Sequence, residues 1–260
     1  MKAGLPFEWL LNVEILRGSG REKMGVISKL NAIVMEIFRD PMPLNDFFDY
    51  DDYWEKRGRQ EPRQRFLWVA ERLADEGALL DVGCGDGAFL EYVRQRKPGL
   101  HLIGIDASTS AIEKLAQKGL EGVVTGDLND PDLSRFRDVD VIVAMELIEH
   151  LTEPERLMAE FLKTRANVFY ITIPNLGFIV NRLRLALGGK MPTTAVVYHI
   201  KEHLRFWTVR DFHVWARHCG FQVVAQSGQN GFAGLWRVWP SLFARQMIYV
   251  LARQGQNARP

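Results

Sequence analysis

Short apolar runs alternate with amphipathic segments through the middle of the chain. Five runs read as buried strands, at residues 78–80, 101–106, 121–128, 140–146 and 167–175. Residues with helical spacing follow most of these runs. Two further apolar runs, at 221–226 and 247–251, predict the last two strands. This rhythm predicts βαβ units and an α/β fold with a mostly parallel sheet, whose ligands bind beyond the carboxyl ends of the strands.

A glycine-rich turn follows the first of these strands. Asp81 ends the strand, and Gly83, Gly85 and Gly87 stand at alternate positions before a helix. Such a turn brings backbone close to a ligand, but nicotinamide and flavin enzymes use similar turns. The G-x-G-x-G spacing and the carboxylate of Asp81 favour a cationic ligand, such as the ammonium of S-adenosylmethionine (SAM). The alternative is that Asp81 only caps the turn.

Acidic residues recur at the ends of the predicted strands. They are Asp81, Asp106, Asp127 and Glu146. Asp106 lies about twenty residues after the glycines, where a carboxylate can accept hydrogen bonds from ribose hydroxyls. Asp127 can accept from an adenine amino group. These acids predict one adenosine-cofactor site at the carboxyl edge of the sheet, without selecting the cofactor.

Composition narrows the class of protein. The net charge of the 260 residues is +1, which gives no electrostatic case for a nucleic-acid partner. The two cysteines provide no disulfide framework and no zinc spacing, so no metal is expected. No run has the length of a membrane span, and no signal peptide is recognised. These features predict a cytoplasmic protein.

Residues 1–60 are interpreted as a helical extension, and residues 61–255 as the main domain. The extension contains an amphipathic helix with Ile33, Val34 and Phe38 on its apolar face and Glu36 on its polar face, ended by prolines at 41 and 43. That helix packs on its own domain or forms a homodimer. The acidic, aromatic segment 45–54 is either a lid over the ligand or a solvated linker.

Three helix starts and one insertion complete the pattern. A helix is predicted over 63–76. Two further helix starts are predicted from capping pairs, Ser110 with Glu113 and Thr208 with Asp211. Residues 176–207 break the strand–helix rhythm. This insertion follows the fifth strand and is well placed to cover the ligand.

The chain resembles the class I SAM-dependent methyltransferases. The resemblance covers about residues 63–251 and is carried by the glycine motif at 81–87, Asp106, Gly126-Asp127 and the Met-Glu-Leu-Ile-Glu-His-Leu motif at 145–151. It implies a Rossmann-like fold with helices on both faces of a seven-stranded sheet, the last strand antiparallel.

A narrower resemblance is to the MetW family. It is carried by the motifs at 173–177, 181–183, 187–192 and 208–212. The first sixty residues exceed what that family usually carries. The motif at 199–207 is more similar to methyltransferases of glycan and natural-product pathways. The resemblance to the MetW family therefore implies the fold but not the substrate.

The resemblance implies SAM as cofactor and S-adenosylhomocysteine (SAH) as product. The implied cofactor residues are Asp81 at the ammonium, Gly83, Cys84 and Gly85 along the methionyl part, Asp106 and Ala107 at the ribose, Asp127 and Leu128 around the adenine, and Met145 and Glu146 beneath the sulfonium. If the acceptor is a hydroxyl, a base helps. His150 and His203 are candidate catalytic bases; the alternative for both is structural support or packing.

Three functions follow from these observations. The first is methyl transfer from SAM to a hydroxyl or carboxyl, rather than a nitrogen, of a small or carrier-linked metabolite. The second is a MetW-like partner protein that binds SAM or SAH and modulates an enzyme of methionine biosynthesis or surface-glycan assembly. The third is a nicotinamide-dependent oxidoreductase, against which Asp81 and the glycine spacing argue.

Overall fold

The computed structural model describes residues 26–38, 50–56, 62–192, 203–232 and 234–255. Several predicted features therefore lie outside the described residues: the prolines at 41 and 43, the first part of the lid segment, and residues 193–202 of the insertion.

One seven-stranded sheet forms the centre of the molecule. Its strands are β1 (Glu76–Val82), β2 (Gly99–Asp106), β3 (Glu121–Val124), β4 (Val141–Met145), β5 (Val168–Pro174), β6 (Phe221–Gln229) and β7 (Gln246–Arg253). The order is β3-β2-β1-β4-β5-β7-β6. Strands β1 to β5 pair in parallel, whereas β7 is antiparallel to both β5 and β6. The predicted Rossmann-like topology is confirmed.

Three described helices precede β1, and the others lie between strands in the chain. They are α1 (Val26–Phe38), α2 (Tyr50–Lys56), α3 (Gln64–Ala70), α4 (Ala88–Arg94), α5 (Thr109–Gln117), α6 (Pro154–Leu162), α7 (Ile179–Gly188), α8 (Val209–His218) and α9 (Pro240–Phe243). Short 3-10 helices cover Ser134–Phe136, Ile148–His150 and Leu235–Arg237. None of these described helices combines the length and the apolar composition needed to cross a bilayer.

Apolar cores lie on both faces of the sheet. The adjacent residues Leu79 and Leu80 of β1 belong to different core clusters, because successive side chains of a strand point to opposite faces. Phe161 of α6 packs with the Leu80 cluster, and Phe89 of α4 packs with the Leu79 cluster. Helices on both faces, as predicted, explain why the central strands are nearly continuous apolar runs.

Two local predictions near the first strands need correction. The helix predicted over 63–76 ends at Ala70, and Gly77 lies inside β1 with φ of 114°. Helix α5 is capped by Ser108 instead of Ser110: the Ser108 side chain accepts a 3.1 Å hydrogen bond from the Ala111 amide. Ser108 is extended directly after β2, so the helix begins earlier than the sequence pattern indicated.

The capping box of α8 is present as predicted. Thr208 accepts a bond from the Asp211 amide at 3.3 Å, and Asp211 accepts from the Thr208 amide at 3.3 Å. These reciprocal bonds satisfy backbone donors at the start of the helix and fix where it begins.

Helix α1 agrees with its predicted apolar face at Ile37, which is buried, but differs from it at three other positions. Glu36, predicted on the polar face, is buried, while Val34 and Phe38 are 51% and 52% exposed. The Glu36 carboxylate accepts two bonds from Arg245, at 2.7 and 2.8 Å, and the Arg184 guanidinium donates to the Glu36 carbonyl at 2.7 Å. These buried cations turn Glu36 inward, which hydrophobic periodicity alone does not reveal.

Candidate cofactor and acceptor site

The glycine turn is built on the ends of β1 and β2. The amides of Gly83 and Cys84 both donate to the Ile105 carbonyl, at 2.8 and 3.1 Å. Gly83 and Gly85 have φ of 71° and 53°, which side-chain-bearing residues rarely adopt. The turn therefore needs glycine for its backbone conformation, and it leads directly into α4.

Asp106 at the end of β2 holds this turn in place. One of its carboxylate oxygens accepts from the Gly85 amide at 2.8 Å, and the other accepts from the Ser108 amide at 2.9 Å. A carboxylate has lone pairs beyond these two bonds, so it can accept further bonds from a ligand hydroxyl. Burial raises the pKa of Asp106 above its usual value, although the backbone bonds oppose this.

Asp81 is a second buried acid beside Asp106. Burial raises the pKa of Asp81 well above its usual range, the negative charge of Asp106 raises it further, and the Arg65 guanidinium lowers it. Two neighbouring buried carboxylates repel each other, and a bound cation relieves that repulsion. The two carboxylates therefore fit the positively charged end of SAM.

Helix α2 lies across the glycine turn. The indole of Trp54 lies so close to Gly85 that a Cβ at Gly85 would overlap it. Asp51 accepts from the Ser108 hydroxyl at 2.6 Å and from the Ser110 amide at 3.2 Å. The Lys114 ammonium donates to the Trp54 carbonyl. The described part of segment 45–54 therefore contacts the glycine turn and the start of α5.

The predicted adenine and ribose residues differ in exposure. Asp127 is exposed, and one of its oxygens accepts from the Asn129 amide and side chain, each at 2.8 Å. Ala107 is also exposed. The side chains of Leu128 and Cys84 instead lie in the two cores, so any contact they make with a cofactor is through backbone.

Glu146 occupies a constrained position directly after Met145, the last residue of β4. Its φ is 51°, one of two positive values outside glycine in the described chain. Its carboxylate accepts a hydrogen bond from the Thr172 hydroxyl at 2.8 Å and another from the side-chain amide of Gln246 at 2.7 Å. Bonds to two other strands fix this side chain and stabilise the strained backbone.

The candidate bases His150 and His203 meet although they are distant in sequence. Their ring centroids are 4.7 Å apart, with planes at 89°. Burial, and then the charge of His150, lowers the pKa of His203 to about 3. The His150 ring also meets Tyr50 of α2, with centroids 6.3 Å apart. His203 lines a cleft that includes Pro174, Asn181 and Phe206.

Sequence reasoning missed two members of this site. Arg65 was assigned only to a helix, and Glu149 only to a motif; Glu149 is buried beside His150. The adjacent acid and histidine were a usable signal for Glu149. No sequence signal marks Arg65, because its relation to Asp81 arises from packing of α3 on the sheet.

Comparison with known proteins places this site in a family. Residues 63–251 match the family model described as methionine biosynthesis protein MetW. The chain belongs to the MetW family. The match covers β1 through most of β7 and all the candidate cofactor residues.

Curated relatives of this MetW-family chain are methyltransferases. A ubiquinone biosynthesis O-methyltransferase of Xylella fastidiosa is 26% identical over 214 residues, covering 77% of this chain and 85% of the relative. A small RNA 2'-O-methyltransferase of Schizosaccharomyces pombe is 31% identical over 162 residues, or 54% of this chain. The chain spans only 42% of that relative's length.

A solved structure shares the fold. The plantazolicin methyltransferase BpumL, determined in complex with SAH, matches with a TM-score of 0.55 and 17% identity, over 87% of this chain and 97% of that one. This match shows the shared fold, and the methyltransferase relatives confirm the prediction of a methyltransferase.

Proposed function

We propose that this protein transfers a methyl group from SAM to an oxygen, in a hydroxyl or carboxyl, of a small or carrier-linked metabolite. The observation that carries the proposal is the pair of buried carboxylates, Asp81 and Asp106, beside a glycine turn covered by Trp54. Choice of an oxygen acceptor is supported by the ubiquinone O-methyltransferase relative, which is matched over most of its length.

The residues around the turn would bind and orient the cofactor. Asp81 would bind the ammonium, and Asp106, already aligned by two backbone amides, would accept from the ribose hydroxyls. Asp127 would accept from the adenine amino group through its exposed side. When bound, SAM supplies a methyl group on a positively charged sulfur, so the protein's main task is alignment.

The covering helix would exclude water from the reacting centre. Trp54 lies on Gly85, and Asp51 bonds Ser108 and Ser110 at the start of α5. Removing water strengthens electrostatic interactions within the site and prevents side reactions. Opening of α2 would then be required for cofactor exchange.

The acceptor would bind in the cleft lined by His203 and Phe206. His203 is poorly suited as a general base, because burial lowers its pKa to about 3 and a base works best with a pKa near the ambient pH; this leaves His150 as the candidate base. Glu146, fixed by Thr172 and Gln246, would form the floor between cofactor and acceptor.

Calorimetric titration of the full chain with SAM and SAH tests the cofactor assignment. In Asp106→Ala we expect affinity to fall by roughly 5- to 150-fold, which corresponds to about 1–3 kcal/mol for unsatisfied hydrogen-bond partners. Asp130→Ala is the matched control, since the Asp130 carboxylate is exposed and pairs with the surface residue Arg156 at 3.4 Å. Equal affinity in wild type and Asp106→Ala would refute the site.

A second candidate function is a partner protein that binds SAM or SAH and modulates another enzyme. The MetW match favours it, because the family is described by a biosynthetic role. Turnover separates the two: methyl transfer to a hydroxyl or carboxyl metabolite in an acceptor screen supports the enzyme. Tight SAM binding without transfer to any acceptor supports the partner protein. A cytoplasmic location, a homodimer and the absence of a nucleic-acid partner remain predictions.

A further inference from the structure

Three metal-ligand side chains converge beyond the end of β4. Glu149, His150 and His203 each offer a ligand atom, and these atoms all lie within 4.8 Å of one another. Glu149 and His150 belong to the 3-10 turn after β4, whereas His203 precedes α8. Nothing in the sequence spacing predicts this cluster, because the fold alone brings His203 to the turn.

Backbone hydrogen bonds fix the two segments against each other. The Glu149 carbonyl accepts from the amides of Leu204 and Arg205, at 2.8 and 3.0 Å. The Arg205 guanidinium also donates to the carbonyl of Thr152, which follows the turn. His203 is therefore held beside Glu149 by main-chain contacts, and the cluster does not depend on side-chain packing alone.

The histidine from the second segment is buried with an unused ring nitrogen. His203 is 7% exposed, and its Nδ1 makes no hydrogen bond to any described residue. A buried ring nitrogen without a hydrogen-bond partner keeps its lone pair available to a metal ion. Glu149 is 1% exposed, and its carboxylate lies with its Oε1 3.9 Å from His150 Nε2.

We propose that Glu149, His150 and His203 bind one divalent transition-metal ion, with Zn²⁺ as the best match. Two imidazoles and one carboxylate form a ligand set that zinc adopts in catalytic sites, with a fourth position open, whereas magnesium and calcium prefer oxygen ligands alone. In a tetrahedral site with bonds of about 2.1 Å, the ligand atoms lie about 3.4 Å apart. The most distant pair of ligand atoms, now within 4.8 Å, would therefore need to approach by up to about 1.4 Å when the ion binds.

The cluster adjoins the cofactor site through one short turn. Leu147, two residues before Glu149, borders Gly83: a Cβ at Gly83 would lie 2.9 Å from the Leu147 side chain. His203 and Glu149 also line the proposed acceptor cleft. A metal here would therefore lie between the acceptor and the cofactor turn.

If the proposed methyl transfer holds, the open coordination position would bind the acceptor oxygen. A bound cation lowers the pKa of a hydroxyl, as it does for water. The hydroxyl proton is then released to solvent, and the oxygen electron pair forms the bond to the methyl carbon. The carbon–sulfur bond breaks with its electrons remaining on sulfur. His150 would act in this case as a ligand and not as the base.

Metal binding can be measured without SAM or any acceptor. The full chain, free of affinity tags and treated with chelator, is titrated with Zn²⁺ by calorimetry and with Co²⁺ by visible absorption. We expect one ion per chain with micromolar or tighter affinity, and cobalt bands typical of mixed nitrogen and oxygen ligation. Glu149→Gln and His203→Asn should each lose at least tenfold in affinity.

His213→Asn is the matched control. His213 bonds Gln226 at 2.8 Å on α8, outside the cluster, so this variant should bind both ions like the wild type. Absence of stoichiometric binding by the wild type, or wild-type affinity in both cluster variants, would overturn the proposal. If circular dichroism shows that either variant fails to fold, the cobalt spectrum of the wild type tests the proposal instead. Bands typical of mixed nitrogen and oxygen ligation support the site, and their absence overturns it. SAM binding by a chain that binds no metal would leave the proposed function standing.

Discussion

The contact between Trp54 and Gly85 determines how α2 covers the glycine turn, and it can be tested with Gly85→Ala. Two separate penalties apply to the added methyl group. Gly85 has φ of 53°, a left-handed conformation unfavourable for alanine. The new Cβ would also overlap the Trp54 indole, so α2 must shift or detach.

The two penalties can be estimated independently. The left-handed conformation costs alanine roughly 1–2 kcal/mol, and overpacking typically costs about 1–3 kcal/mol. Gly85→Ala should therefore reduce the free energy of unfolding by about 2–5 kcal/mol. In a Trp54→Ala background the overlap disappears, and the same substitution should cost only the conformational part, about 1–2 kcal/mol.

Urea denaturation of the wild type, both single variants and the double variant measures the coupling between the positions. Gly126→Ala is the control, because Gly126 has no positive φ and a Cβ there would meet nothing within 4 Å. A coupling energy of about 1 kcal/mol or more is expected. If the cost of Gly85→Ala is the same in both backgrounds, α2 does not lie on the glycine turn and the proposed cover is wrong.

Three further substitutions test other parts of the structure. Glu36→Gln leaves the half-buried Arg245 guanidinium without its ion pair and should reduce the free energy of unfolding by about 3 kcal/mol in urea titrations; a change below 0.5 kcal/mol would contradict the inward orientation of Glu36. Thr208→Ala removes one half of the capping box and should cost about 1 kcal/mol, measured as a lower Tm; an unchanged Tm would contradict the cap. Because the folded pKa of Asp81 is raised above 3.8, the folded state keeps this proton to higher pH than the unfolded state, and stability falls as the pH rises above about 3.8. Asp81→Asn should therefore be more stable than the wild type in urea at pH 8, and this advantage should be smaller at pH 5. The variant should also bind SAM weakly. Lower stability of the variant than of the wild type at pH 8 would refute this reasoning.

The strands of the sheet could be predicted because their signals are local. A buried parallel strand is apolar along most of its length, and an acid follows the apolar run near its carboxyl end, as at Asp81, one residue before β1 ends, and at Asp106, the last residue of β2. The glycine turn likewise needs its residue type for backbone reasons alone. The seven strands and the antiparallel β7 followed from family resemblance, whereas the strand order was not predicted, since periodicity does not specify pairing.

Features that depend on partners distant in the chain could not be predicted. The bond between Glu36 and Arg245 joins residues 209 positions apart, and it accompanies the burial of a residue from the predicted polar face of α1. The meeting of His150 with His203 depends on main-chain bonds between two irregular segments. Hydrophobic periodicity describes which side of an element is buried against an apolar core, and it fails where charged groups are buried together.

The turn after β4 explains why both sides of the site depend on one short segment. Glu146 takes a strained backbone conformation, with φ of 51°, and hydrogen bonds from Thr172 and Gln246 stabilise it. That conformation ends the strand abruptly and sends Leu147 toward Gly83 and Glu149 toward His203. A relaxed, extended residue at 146 would continue β4 and separate these contacts. The strain at Glu146 therefore couples the position of the cofactor turn to that of the acceptor cleft.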